Sequence, residues 1–170
     1  LATATQSWPH VRAVHVDTGP YVDAGASEAE ELAVMIATGT AYLRLLVDGG
    51  LSTRAAADQI EFTIAADADV FATIAKLRAA RRLWAHVVAA ADGSSDGSPA
   101  AAAPRISART ATRMMTRRDP WVNMLRTTAA CFAAGAGGAD SVTVQPFDAA
   151  LGLADDLGRR IARNTQLMLQ

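Results

Sequence analysis

Ile60-Glu61-Phe62-Thr63-Ile64-Ala65 alternates apolar and polar side chains along most of its length. Successive side chains on a strand point to opposite faces, so this run predicts a strand with one apolar and one polar face. Similar alternation recurs elsewhere. Val14 and Val16 alternate with His15 and Asp17 within Val11 to Asp17, and Ile106 and Ala108 with Ser107 and Arg109 within Arg105 to Thr110. Val142 and Val144 alternate with Thr143 and Gln145 within Ser141 to Gln145. A parallel sheet covered by helices on both faces has strands that are apolar throughout. One apolar face fits a single outer layer of helices, and a polar inner face fits a barrel lumen that is wet or holds a ligand.

Helical patterns fill the spaces between these strands. The first opens at Ser27 with Glu30 three residues on, a capping box, and Leu32, Ile36, Gly39, Leu43 and Leu46 keep one face apolar up to Gly49-Gly50. A short helical turn around Thr53 to Ala57 leads into the second strand. The next helix runs from about Asp69 to Val88, with Ile74, Leu77, Trp84 and Val88 facing inward. Asp92 to Ala103 is a Gly/Ser/Ala-rich stretch that reads as a mobile surface connection. A third helix starts at Asp119-Pro120, an N-cap followed by proline, and stops at Gly135 to Gly138. The last begins near Asp155-Asp156.

The order βαβαβαβα implies parallel strands joined by right-handed crossovers. Four such units are half of a (β/α)₈ barrel. The expected fold is therefore four parallel strands in sequential order, curved, with every helix on the convex side. The edges at Val11–Asp17 and Ser141–Gln145 should be covered, by the remaining half of the barrel or by a second copy forming an eight-stranded assembly about a two-fold axis, because a bare sheet edge is a template for pairing. Residues 1–170 read as this one half-barrel domain.

Composition narrows the setting. With 170 residues, 51% hydrophobic and 19% charged, the chain suits a packed globular domain. The first residue is Leu1 rather than Met, which suggests a piece of a longer parent. No apolar run approaches the roughly 18 residues of a membrane-spanning helix, and the start lacks a signal-peptide pattern. A net charge of −1 gives no global pull toward nucleic acid. All basic residues but Lys76 are arginine, a pattern that fits coding bias. Cys131, the single cysteine, stands in a helical stretch and reads as a buried, inert thiol. With no disulfide framework, the expected location is cytoplasmic.

Motifs for generic catalysis are missing: there is no P-loop, G-x-G-x-x-G, G-x-S-x-G, H-E-x-x-H or C-x-x-C. His10, His15 and His86 form no metal-ligand spacing. His15 points to the polar face and reads as a hydrogen-bonded lumen histidine, while His86 is placed near a helix end, where it favours the dipole. Arg78, Arg81 and Arg82 share a helix face that reads as solvated or as a subunit contact. Arg109, Arg113, Arg117 and Arg118 follow the carboxyl end of the third strand, where barrel enzymes place their sites, and are the best candidates to hold a phosphate or carboxylate.

Longer runs carry a specific resemblance. Arg160-Ile-Ala-Arg-Asn-Thr-Gln-Leu-Met-Leu-Gln170, Ile74-Ala-Lys-Leu-Arg-Ala-Ala-Arg-Arg-Leu-Trp84 and Asp119-Pro-Trp-Val-Asn-Met-Leu-Arg-Thr127 resemble, in this order, runs of the methylmalonyl-CoA mutase family. The resemblance implies the second half of a barrel that threads coenzyme A esters along its axis, with adenosylcobalamin capping the carboxyl end from a separate domain. No cobalamin-binding domain is expected within 1–170, because the Asp-x-His-x-x-Gly ligand motif is missing. The cofactor is thus expected to be bound by the complex and not by this chain.

Departures from the family's catalytic pattern are as informative. Catalytic chains carry Tyr-His after the fifth strand, where this sequence has Gly19-Pro20, and proline offers no titratable group. In the seventh-strand motif Ser107 replaces a histidine and Arg109 a glutamine. Both changes, and the run Val142-Thr-Val-Gln-Pro-Phe-Asp148, resemble the small non-catalytic subunit of heterodimeric mutases. The resemblance leaves Tyr21, Ser107, Arg109 and Arg113 as vestigial substrate-contact candidates and no catalytic or metal residue. It implies a catalytic large subunit as partner, an inactive chain when alone, and no nucleic-acid or membrane partner. Two alternatives stay open: a catalytic acyl-CoA mutase of other substrate, and a coenzyme A-binding barrel without catalysis.

Overall fold

The computed structural model describes residue 8, residues 11–93 and residues 103–169. Strands are β1 Val14–Asp17, β2 Ile60–Ala66, β3 Arg105–Thr110 and β4 Ser141–Thr143. Helices are α1 Gly19–Asp23, α2 Glu28–Asp48, α3 Thr53–Asp58, α4 Val70–Asp92, α5 Val122–Gly137 and α6 Asp156–Leu169. The strands form one parallel sheet in the order β1-β2-β3-β4. The sheet topology is that of half a (β/α)₈ barrel, as the alternation in the strands requires.

The main core lies on one side of the sheet. Val16, Phe62, Ile64 and Ile106 pack with Met35, Leu43, Trp84 and Ala134 in one cluster, while His15, Asp17, Ser141 and Thr143 on the other face stay exposed. Helices α2, α4, α5 and α6 pack against one another in chain order over the apolar face. At the centre Phe62 and Trp84 meet edge-to-face at 4.8 Å. Gly39 of α2 explains how so large a pair fits. A methyl there would stand 2.7 Å from the Trp84 ring and 2.9 Å from Phe62, so the bare backbone is what the two rings pack upon.

Local signals set most of the boundaries. Ser27 accepts from the Glu30 N–H and Glu30 closes the capping box by accepting from the Ser27 N–H at 2.8 Å. Asp69 caps α4 by accepting from the Ala72 N–H at 3.0 Å.

Several expectations shift. β1 begins at Val14 and β4 ends at Thr143, shorter than Val11–Asp17 and Ser141–Gln145. Their register partners, Ile60 on β2 and Arg109 on β3, mark where pairing starts and stops. Helix α4 continues past Val88 through Ala89, Ala90 and Ala91 to Gly93, whose left-handed φ of 70° ends it. His86 therefore stands inside the helix, beyond reach of the dipole argument. Asp119 gives α5 no side-chain cap. Trp121 precedes the helix, and the first bonds are the tight Asn123 N–H to Pro120 and Met124 N–H to Trp121. Of the stretch read as a mobile connection, 94–102 lie outside the described residues.

Candidate functional site

The carboxyl ends of the strands hold most of the residues singled out in the sequence. Asp17 ends β1 and its Oδ1 accepts the Gly19 N–H at 2.8 Å, folding the chain into α1. Pro20 sits in the first turn of α1, where its missing N–H costs nothing, and Tyr21 is left exposed beside it. Val22 turns inward against Ala65 and Ala111 and anchors the turn to β2 and to the end of β3.

Beneath this turn lies a feature that the sequence reading missed. Glu31 of α2 and Lys76 of α4 form an ion pair at 2.5 Å with side chains only 1% and 2% exposed. Glu31 Oε1 also accepts the Ala65 N–H at 2.7 Å and stands 2.6 Å from the Thr18 hydroxyl. One carboxylate thereby ties two helices to the ends of β1 and β2. Two signals were present: Lys76 follows Thr73 and precedes Leu77 and Ala80 on the inward stripe, and it is the lone lysine among arginines.

Arg113 is fully engaged. It donates to Asp67 at 3.0 Å, to the Ala26 carbonyl at 2.7 Å and to Glu28 at 3.2 Å, closing the first and second strand-to-helix loops onto the third. The bond to Asp67 holds its guanidinium pKa above the ordinary value. Arg109 is different. It lies in register between Ala65 and Thr143, half-buried on the polar face, and makes no hydrogen bond or ion pair among the described residues. Its guanidinium rests over Gly19, where any side-chain methyl would collide with Arg109 Nη2. Arg117 and Arg118 point to solvent.

The polar face below is self-paired. Ser141 donates to Ser107 at 2.8 Å and Ser107 to Glu61 at 3.0 Å, so one chain of bonds crosses β4, β3 and β2. His15 Nε2 lies 3.1 Å from the Thr63 hydroxyl. Gln145 closes the far side, its side-chain amide donating to the Thr110 carbonyl at 2.8 Å. Arg81 is tied down as well, donating to Pro104 at 2.8 Å and to Asp140 at 2.8 Å near the opposite ends of the strands, which corrects its reading as solvated. Cys131 is buried, and burial pushes its thiol pKa up. Among the described residues no cluster of His, Cys, Asp or Glu can hold a metal, and no helix is long and apolar enough to cross a membrane.

These features define a class: a half barrel of (β/α)₈ type whose inner face carries polar groups bonded mainly to one another across neighbouring strands. The chain belongs to the methylmalonyl-CoA mutase family, whose profile matches residues 1–170. It is 58% identical over 164 residues to a protein of Streptomyces virginiae named methylmalonyl-CoA mutase small subunit, covering 96% of this chain and 26% of that protein. It is 45% identical to the small subunit of Propionibacterium freudenreichii subsp. shermanii, over 95% of this chain and 25% of that protein. Against the methylmalonyl-CoA mutase of Escherichia coli the identity is 34%, over 100% of this chain and 23% of the other. The chain thus spans about a quarter of these relatives' length.

Proposed function

We propose that these residues are the second half of the coenzyme A-ester barrel of a methylmalonyl-CoA mutase small subunit, and that this barrel serves assembly with a catalytic large subunit rather than turnover. The observation that carries the reading is the mouth of the barrel. Pro20 and Gly19 offer no acid or base there, and the Arg109 guanidinium covers the Gly19 backbone. Lower in the lumen, Ser107, Glu61, His15 and Thr63 spend their hydrogen bonds on each other.

Proteins of this family use adenosylcobalamin, whose radical chemistry rearranges the acyl carbon skeleton. The residues here do not fit the role of lower ligand to its cobalt. His15 is bonded to Thr63 inside the sheet and His86 is exposed on α4, so neither described histidine stands at the mouth.

The test uses the full-length parent, alone and with its large subunit, supplied with adenosylcobalamin and methylmalonyl-CoA. Succinyl-CoA is expected only when the large subunit is present. Succinyl-CoA made by the small subunit alone overturns the reading. One observation favours a second reading, retained coenzyme A binding without catalysis: Arg109 is a cation facing the lumen with no partner among the described residues. Calorimetric titration of the small subunit with coenzyme A, repeated on Arg109→Ala, separates the two.

A further inference from the structure

The Arg109 side chain crosses the sheet. It starts on β3, yet its guanidinium rests over Gly19, the first residue of α1 after β1. β2 lies between those strands, so the side chain spans two strand spacings, about 9.5 Å. The residue it passes on β2 is its register partner Ala65, whose methyl leaves the way clear. Gly19 clears the other end: a methyl there would collide with Arg109 Nη2 and stand 3.0 Å from Asp17 Oδ1.

Among the described residues the guanidinium is held without a hydrogen bond or ion pair. Arg109 Nη2 and the Asp17 carboxylate flank the place a Gly19 side chain would take, so opposite charges face each other across it. Asp17 is fixed there by accepting the Gly19 N–H at 2.8 Å. Val22 fixes α1 in turn, buried against Ala65 and Ala111. Ala65 shares the polar side of β2 with Glu61 and Thr63, so α1 folds over that side and away from the main core. Helix α1 and the arginine together lie across the carboxyl end of the lumen face.

We propose that Arg109 bars the acyl end of a coenzyme A ester from the barrel mouth, and that Gly19 is what lets it lie there. This rests on the coenzyme A-ester reading above and makes residue 109 the point at which such esters are refused. Barrels of this type present their sites at the carboxyl ends of the strands, where this guanidinium lies. The same geometry disfavours Arg109 as an anion contact. Asp17 beside it repels a carboxylate or phosphate, and Nη2 sits against Gly19.

The experiment titrates the full-length small subunit with methylmalonyl-CoA and with coenzyme A itself, for wild type, Arg109→Ala and Arg109→Gln. Wild type is expected to bind the ester no tighter than the free thiol. Both variants should bind the ester about 5-fold or more tighter than wild type, the scale of coupling between touching groups, with the free thiol unchanged. An ester affinity that stays the same or falls overturns the proposal. Equal tightening for the free thiol also overturns it, since the arginine then hinders the whole ligand. Melting of both variants should match wild type, and a lowered melting temperature in both overturns the proposal by making Arg109 a structural tie.

Gly19→Ala tests the pairing. Alanine is the better helix former, so α1 keeps its fold. The methyl is expected to raise ester affinity while Arg109 is present, by displacing the flexible end of that side chain, and to leave it unchanged in Arg109→Ala. The same change in both backgrounds overturns the role given to Gly19. If neither ligand binds any of these proteins, the coenzyme A-ester reading itself has failed. Coenzyme A bound throughout, with no gain for the ester, removes only the role of Arg109.

Discussion

Glu30 shows how much a single side chain can say when its partners are local. It accepts from the backbone N–H of Ser27 and from the Ser27 hydroxyl, in that order of importance, and both hold its carboxyl below the ordinary value. A carboxyl with a lowered folded-state pKa stabilises fully above its unfolded value of about 4.3 and loses that contribution as pH falls through the folded value. Melting of wild type and Glu30→Ala should therefore differ most at neutral pH, with the gap closing below the usual carboxylate range. A gap that widens on acidification would contradict the capping box. This interaction was legible in the sequence because Ser27 and Glu30 are three residues apart, and helix geometry alone brings them together. Arg109 was legible as a mouth residue for the same kind of reason, its place at the end of a strand. What it rests upon was not: contact with Gly19 joins residues ninety positions apart, and no local pattern encodes it.

At the scale of elements, alternation along the strands set the sheet and its one helix layer, since side-chain direction follows from backbone period. Strand lengths did not follow, because the ladder ends where side-chain bonds replace it: past Arg109 the Gln145 N–H goes to the Thr110 hydroxyl and the Gln145 side-chain amide to the Thr110 carbonyl. The Glu31–Lys76 pair belongs to this scale too, joining α2 and α4 across 45 residues and binding both to the ends of β1 and β2. Lys76→Met removes the cation and leaves a carboxylate buried with its charge uncompensated, an arrangement that costs about 3–5 kcal/mol. Chemical denaturation of the Lys76→Met subunit should show a loss of that size. Adding Glu31→Gln should recover part of it, because the amide oxygen can still accept from Ala65 and Thr18 while the buried charge is gone. A double variant no better than Lys76→Met would mean that the ammonium's packing matters more than its charge.

For the whole molecule, the governing fact is that the sheet has two open edges. Among the described residues β1 pairs only with β2, and β4 only with β3. Each outer edge then presents a row of backbone N–H and C=O groups, and parallel sheets in a closed barrel have no such rows. The polar face adds to the problem, since His15, Asp17, Ser141 and Thr143 are exposed where a closed barrel would line them against the opposite strands. Solvation of the edges keeps the energetic cost modest, but it leaves them able to pair with any strand of matching direction. Residues 1–170 expressed alone should therefore self-associate, with light scattering after size-exclusion giving a mass that rises with concentration. In the full-length subunit the same edges should be closed by the other half of the barrel. Hydrogen exchange at the amides of Val14–Asp17 and Ser141–Thr143 is then expected to be slow in the full-length protein. It should be fast in a dilute sample of the fragment. A fragment that stays monomeric at high concentration, with those amides as protected as in the parent, would mean that the edges need no cover and that the half barrel is a complete fold.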